Sequence, residues 1–284
     1  MVGTRLRAFE WAGCRVAIEH GPAWDWRWPE GFGGHVSAPD SPDVHVSLAA
    51  SDSPVRVEEG LSYVHEGALI EVGRAGGDPL IACSDGRLAR FDRSFRFASV
   101  TAPTSLARRG TFPLARPLDD LIVIHRSLAA GALAIWGSAS VRDGRALTIL
   151  GDHAVHEPAR DSSTWSGWLV IEPDVGGVRV APLPSTRVSG APSPSSAQLI
   201  GLHLLDAMGG DPSPATTLDA EAGAAEILRF AFAPLASAVP PESVIGMAAE
   251  LAERVTIVRL AGAGPGFSWQ RSRSPLGFAP PAGA

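Results

Sequence analysis

The stretch PLDDLIVIHRSLAAGALAIWGSASVRDGRALTILGD, residues 117–152, decides the predicted fold of this chain. Pro117 suits the first turn of a helix, and Gly131 suits its C-terminal stop. Asp119 and Asp120 place negative charge at the positive end of the helix dipole. The stretch therefore predicts a helix with one buried face at helical spacing, made of Leu118, Leu121, Ile122, His125, Leu128 and Ala129.

Two apolar segments follow this helix, at 132–141 and 145–151, and the Asp143-Gly144 pair between them is typical of a hairpin turn. The last third of the chain returns to alternation of helices and strands, which indicates an α/β core. The further predicted elements are strands at 168–173 and 177–184, a Ser- and Pro-rich loop at 185–197, a strand at 199–205, helices at 219–233 and 241–253, and a strand at 255–261. The first of these two helices is predicted to bury Leu218, Ala222, Ala225, Leu228 and Phe232.

The N-terminal part of the chain is predicted to be β-rich. Val44, Val46 and Leu48 alternate with polar residues, as a half-buried strand requires. Ser84-Asp85-Gly86 separates two further apolar segments with hairpin chemistry, because glycine takes a positive φ at little cost. We therefore predict three parts: a β-rich domain at 1–112, an α/β core at 113–261 and a flexible tail at 262–284.

Composition and charge exclude some classes of function. The chain has 284 residues, 45% of them hydrophobic, and a net charge of −6, so a phosphate backbone is an unfavourable partner and no nucleic acid is expected. All 24 positive side chains are arginine, and the sequence contains no lysine. Chemistry that needs a lysine ammonium, such as a phosphate-loop lysine or a Schiff base, is therefore absent.

The sequence gives no signal for export or for a membrane. Cys14 and Cys83 lie far apart without metal-type spacing, which indicates buried thiols in a reducing compartment. No run of about 18 apolar residues occurs. We therefore predict a cytoplasmic protein.

Residues 115–261 resemble HPr-kinase-like proteins, relatives of the phosphoenolpyruvate carboxykinase fold. The likeness lies in the stretch 117–152 and in the later order of strand, helix, helix and strand. The resemblance implies an α/β core in which a second strand opens into a phosphate-binding loop of the form G-x-x-G-x-G-K-[ST]. It also implies acidic residues that hold metal, and phosphorylation of a serine on a small protein or peptide.

The chain departs from this pattern where phosphate would bind. After Gly151 it reads DHAVHEPARDSSTWSG, without the glycines or the lysine of a Walker A motif. Asp152, His153 and Glu157 stand there instead, and two like charges at about 4 Å repel by roughly 4 kcal/mol at an effective dielectric near 20. A repulsion of that size weakens binding by about a thousandfold.

Two further departures concern catalytic groups. The histidine expected near the end of the first core strand is replaced by Trp136, and Glu172 and Asp174 do not follow the family's acidic pattern. We therefore expect a catalytically inactive member that needs no cofactor, binds a protein or peptide as a regulatory partner, and is able to form homo-oligomers. The alternative is an active enzyme that binds nucleotide through Arg160 or Arg179, or that uses histidine chemistry.

His153 and His156 form the motif H-x-x-H-E with Glu157. On a helix they would share a face and could bind a metal, with Asp152 or Asp161 as a further ligand. Pro158 ends such a helix soon afterwards, so a solvated loop is the favoured interpretation.

Trp24, Trp26 and Trp28 alternate in AWDWRWPE and would share one face of an extended segment. Such a row is either a platform for a partner or a cap on the N-terminal sheet. Trp165 and Trp168 flank the degenerate loop and are hypothesised to fill the vacated phosphate pocket. Arg126 is interpreted as a surface charge.

Overall fold

A computed structural model describes residues 4–28, 35–37, 40–52, 57–65, 68–150, 162–190, 194–205, 215–232 and 240–260. Within them the chain is rich in β-strands and has few helices, so the predicted β-rich N-terminal part is confirmed. The strands form two sheets, one from each part of the chain.

The first sheet has nine strands in the described part of the chain, in the order β3-β1-β2-β4-β9-β8-β7-β6-β5. Strands β2, β4 and β9 are parallel neighbours, and the other neighbours are antiparallel. The hairpin predicted at Ser84-Asp85-Gly86 joins β7 to β8, with Gly86 at φ 88°. The strands are β1 (Arg5–Trp11), β2 (Cys14–His20), β3 (His35–Val36), β4 (Val44–Ala50), β5 (Glu58–His65), β6 (Ala68–Ala75), β7 (Asp78–Cys83), β8 (Leu88–Phe91) and β9 (Phe97–Ala102).

The second sheet closes on itself. Strand β11 pairs with β10, β10 with β12, β12 with β13, β13 with β15, and β15 again with β11. Strands β11, β15 and β17 are parallel, so their carboxyl ends lie at one edge. The strands are β10 (Leu133–Arg142), β11 (Arg145–Leu150), β12 (Ser163–Asp174), β13 (Gly177–Pro182), β14 (Arg187–Gly190), β15 (Ala197–Leu205), β16 (Thr216–Thr217) and β17 (Ile257–Leu260).

One helix, α2 (Leu118–Ala129), lies between the two sheets and packs against the hydrophobic residues of both. The helices are α1 (Thr104–Arg108), α2 (Leu118–Ala129), α3 (Ala220–Phe230) and α4 (Pro241–Arg254). Helix α2 contacts β2 of the first sheet and β10 of the second, and both sheets share a continuous cluster of buried residues. Leu118, Leu121 and Ile122 are fully buried, and each such side chain contributes roughly 1.5–3 kcal/mol. No helix in the described residues is long and apolar enough to cross a membrane.

Two local predictions need correction. The loop predicted at 185–197 contains a short exposed strand, β14, which pairs with the start of β12. The predicted buried face of α3 is also wrong in part, because Ala222 and Ala225 are exposed and Gly223 and Ile227 are buried. A Cβ on Gly223 would lie 2.5 Å from Cδ1 of Ile257, so the helix packs closely on β17 through its glycine.

Candidate functional site

The edge at which β11, β15 and β17 end is the expected ligand-binding edge. In α/β sheets, ligands bind outside the carboxyl ends of parallel strands. Leu150, the last residue of β11, lies opposite Leu204 of β15, and Leu205 lies opposite Leu260 of β17. Strand β11 therefore ends at the edge of the sheet just before the segment in which the resemblance implies a phosphate-binding loop. Gly151, Asp152, His153, His156, Glu157, Arg160 and Asp161 themselves lie outside the described residues.

Aromatic side chains lie beside this edge. Trp136 is next to Gly137, which pairs with Leu150. Its ring meets Trp168 edge-on at a centroid distance of 5.4 Å, and Trp168 in turn lies 5.5 Å from Phe232. An indole at this position has no acidic or basic group that could move a proton near neutral pH.

Trp165 and Trp168 have different surroundings. Trp165 is fully buried in the hydrophobic core and faces Ala139 of β10, while Trp168 is only partly buried beside Trp136. Trp165 is thus a core residue of the second sheet. The hypothesis that these indoles fill a vacated phosphate pocket stays untested, because that loop is outside the described residues.

Glu172 and Asp174 lie in the last part of β12, next to its turn into β13. Glu172 pairs in register with Arg179 of β13, and Arg179 pairs with Gln198 of β15. Gln198 lies opposite Arg145, the first residue of β11. Both acids therefore lie in the hairpin formed by β12 and β13, whose second strand pairs with the start of β15.

Arg179, a candidate nucleotide ligand in the alternative enzyme, already has an anionic partner. Its Nη2 donates to Oε2 of Glu172 at 2.5 Å. This hydrogen bond raises the pKa of Arg179 further. The guanidinium is therefore already part of an ion pair between neighbouring residues of β12 and β13.

His203 lies in β15 and is almost completely buried, at 3% exposure. Burial lowers the pKa of His203 to about 4. A general base works best with a pKa near the operating pH, so this imidazole does not suit proton transfer at neutral pH. The scattered histidines gave no sequence signal that could have distinguished His203.

Two carboxylic acids are buried at the start of α2. The sequence assigns Asp119 and Asp120 to the helix dipole, but the structure also encloses them, at 5% and 0% exposure. Ser185 donates its backbone N–H to Oδ1 of Asp120 at 2.9 Å. Burial, and then the carboxylate of Asp120, raises the pKa of Asp119 to about 8.

Arg87, which the sequence does not single out, fixes the chain that leads into α2. It lies just after the β7–β8 turn and is 6% exposed. Its guanidinium donates to the carbonyl oxygens of Pro113 (3.4 Å), Ala115 and Arg116 (2.7 Å), and its Nε donates to Asp85 at 2.8 Å. With its donors occupied by backbone carbonyls, Arg87 has a structural role.

The tryptophan row lies inside the protein. Trp24 and Trp26 are each 2% exposed and belong to the hydrophobic core, and Trp28 is partly buried against it. Arg7 lies over the ring of Trp26 at 4.7 Å and donates to its backbone oxygen at 2.5 Å. The expectation of an exposed partner-binding platform is therefore corrected: these residues cap the first sheet, the other alternative that the sequence left open.

Metal binding has no support in the described residues. Within those ranges, no group of three or more His, Cys, Asp or Glu side chains could hold a metal ion. The candidate ligands His153 and His156 lie outside them, so that prediction stays open.

No protein-family model matches this chain, and no curated protein sequence matches it. Conclusions about function therefore depend on the chemistry of individual residues and on the resemblance of residues 115–261 noted from the sequence.

Proposed function

We propose that this chain is a catalytically inactive HPr-kinase-like protein that acts as a regulatory partner by binding a protein or peptide, without ATP-dependent phosphotransfer. The observation that carries the proposal is the sequence after β11. It has acidic Asp152 directly after Gly151, no glycine-rich loop, and no lysine anywhere in the chain. A triphosphate at that turn would meet negative charge where the family has an ammonium group.

The arrangement of the second sheet supports the proposal. Strand β11 ends at the edge that it shares with β15 and β17, and the acidic segment follows it in the sequence. Trp136 lies beside that edge, at the position where the resemblance implies a histidine. The imidazole of His203, which pairs with Ile149 near the same edge, is buried, and its pKa of about 4 does not suit proton transfer at neutral pH.

Isothermal titration with ATP and magnesium tests the inactive state. We expect no saturable binding below about 100 μM, which corresponds to about −5.5 kcal/mol. Incubation with labelled ATP and serine peptides should transfer no phosphate. Tighter binding would contradict the proposal and favour the alternative enzyme.

The partner is tested separately by capture from the native host with the folded chain as bait and the heat-unfolded chain as control. We expect a protein or peptide retained in stoichiometric amount by the folded bait only, whether or not ATP is present. Retention of nothing except further copies of the chain would contradict the regulatory part of the proposal and indicate a homo-oligomer.

A further inference from the structure

A small cleft lies where the two sheets meet, at the C-terminal end of α2. Its volume is about 120 Å³, it is open to solvent on one side, and it is lined by the β1–β2 turn, the last turn of α2 and strands β12 and β13. This volume holds about four water molecules at roughly 30 Å³ each. The cleft is therefore suited to one small polar group and is too small for a nucleotide. Its charged lining residues are Asp43, Arg126, Glu172 and Arg179.

The two acids in the cleft are already paired with other arginines. Oδ2 of Asp43 accepts from the backbone N–H of Arg15 at 2.9 Å and from its Nε at 3.3 Å. Glu172 pairs with Arg179 at 2.5 Å. Arg126 makes no ion pair with any described acid. Because Arg15, outside the lining, neutralises Asp43 and Arg179 neutralises Glu172, Arg126 is the charged lining residue whose charge is not balanced by an ion pair.

One hydrogen-bond donor of Arg126 also has no acceptor. Its Nε has no exposed surface and no acceptor among the described residues. A buried donor of a charged group without an acceptor is unfavourable, so the folded protein does not hold Arg126 in place through this atom. Cys14, which also lines the cleft, supplies no negative charge because burial raises the pKa of its thiol to about 12.

The turn between β1 and β2, which lines the cleft, has an unusual backbone conformation. Ala12 has φ 51° and Gly13 has φ 76°, in the left-handed region that disfavours a residue with a Cβ. A Cβ on Gly13 would lie 3.5 Å from Nη2 of Arg179. The turn therefore lies directly against the arginine that lines the cleft beside Arg126.

We propose that this cleft binds a single oxyanion, a phosphate or carboxylate group, through the guanidinium of Arg126, with Arg179 and Ser127 lining the same site. The planar guanidinium offers its N–H groups in a fork that matches an oxyanion. None of the described residues that line the cleft belongs to the segment after β11, and the inference does not depend on the proposed regulatory function.

The test is isothermal titration calorimetry at pH 7.5 and constant ionic strength. The full chain is titrated with inorganic phosphate and, in a separate experiment, with acetate. We expect saturable binding of one of these ions to the full chain with a Kd below about 10 mM. Phosphate binding alone assigns the site to phosphate groups, and acetate binding assigns it to carboxylates. The affinity of Arg126→Gln for the ion should be at least tenfold lower than that of the wild type. The affinity of Arg126→Lys should lie between these two values.

Arg254→Gln is the matched control, because Arg254 lies on the last turn of α4 and pairs with Glu250. It should bind the ion like the wild type. Circular dichroism establishes that each variant is folded. Equal affinity in Arg126→Gln and wild type, or no binding of either ion by the wild type, would overturn the proposal.

Discussion

The two ends of α2 carry the charges that a helix dipole favours, but their surroundings differ. At the N-terminal end, Asp119 and Asp120 are buried, and Ser185 donates a hydrogen bond to Asp120. At the C-terminal end, Arg126 lines a cleft and makes no ion pair with a described acid. Both ends of α2 therefore carry a charge that suits the helix dipole. At the N-terminal end the charged residues belong to a buried hydrogen-bonded network, whereas at the C-terminal end Arg126 lines a candidate binding site.

Arg87→Met should give the largest effect, a loss of about 3–5 kcal/mol in the free energy of unfolding. Removal of the guanidinium leaves buried carbonyl oxygens of the segment before α2 without their donor. Urea denaturation measures the change. Arg90→Met in the same hairpin is the control, because Arg90 is 47% exposed and should change stability by less than about 1 kcal/mol. Equal effects of the two variants would show that the N-terminal network does not stabilise the fold.

Asp119→Asn should increase stability at pH 8 by more than about 1 kcal/mol and have little effect at pH 4. The pKa of Asp119 is raised from 3.8 to about 8 in the folded protein, so its contribution is favourable below pH 3.8 and is lost as the pH rises toward 8. Denaturation at both pH values measures this, with exposed Asp143→Asn as control. A gain of the same size at pH 4 would contradict the assignment.

Glu172→Gln tests the ion pair between Glu172 and Arg179 in the cleft beside the C-terminal end of α2. Both side chains of the Glu172–Arg179 pair are 39% exposed, so the loss of stability should be below about 1 kcal/mol. The variant also removes a negative charge from the cleft, and oxyanion affinity should rise about threefold. A thermal melt with and without phosphate measures both effects. A fall in affinity would indicate that the carboxylate is itself a ligand.

Arg126→Gln should change stability least, by within about 0.5 kcal/mol when no anion is present. Its Nε has no described acceptor to lose, and the dipole interaction at a helix end is worth about 0.3–1 kcal/mol. Chemical denaturation in a buffer without oxyanions measures the change. A loss of stability close to that of Arg87→Met would contradict this prediction and would show that Arg126 has a structural role like that of Arg87.

Sequence reasoning described the local structure well. The limits of α2 and the hairpin turns at Asp85-Gly86 and Asp143-Gly144 follow from residues within a few positions of each other. The surroundings of side chains are less predictable. For Trp24 and Trp26 the sequence leaves two interpretations open, and for Arg126 it favours a surface charge.

The sequence alone determined that the chain has no lysine and that an acidic segment follows Gly151, since these are properties of composition and order. Only the tertiary structure decided that Glu172 pairs with Arg179, that Arg87 holds the segment before α2, and that Arg126 lines a cleft. The physical reason is distance along the chain. Turns and helix ends depend on neighbouring residues, whereas burial and charge pairing depend on strands that meet only after folding.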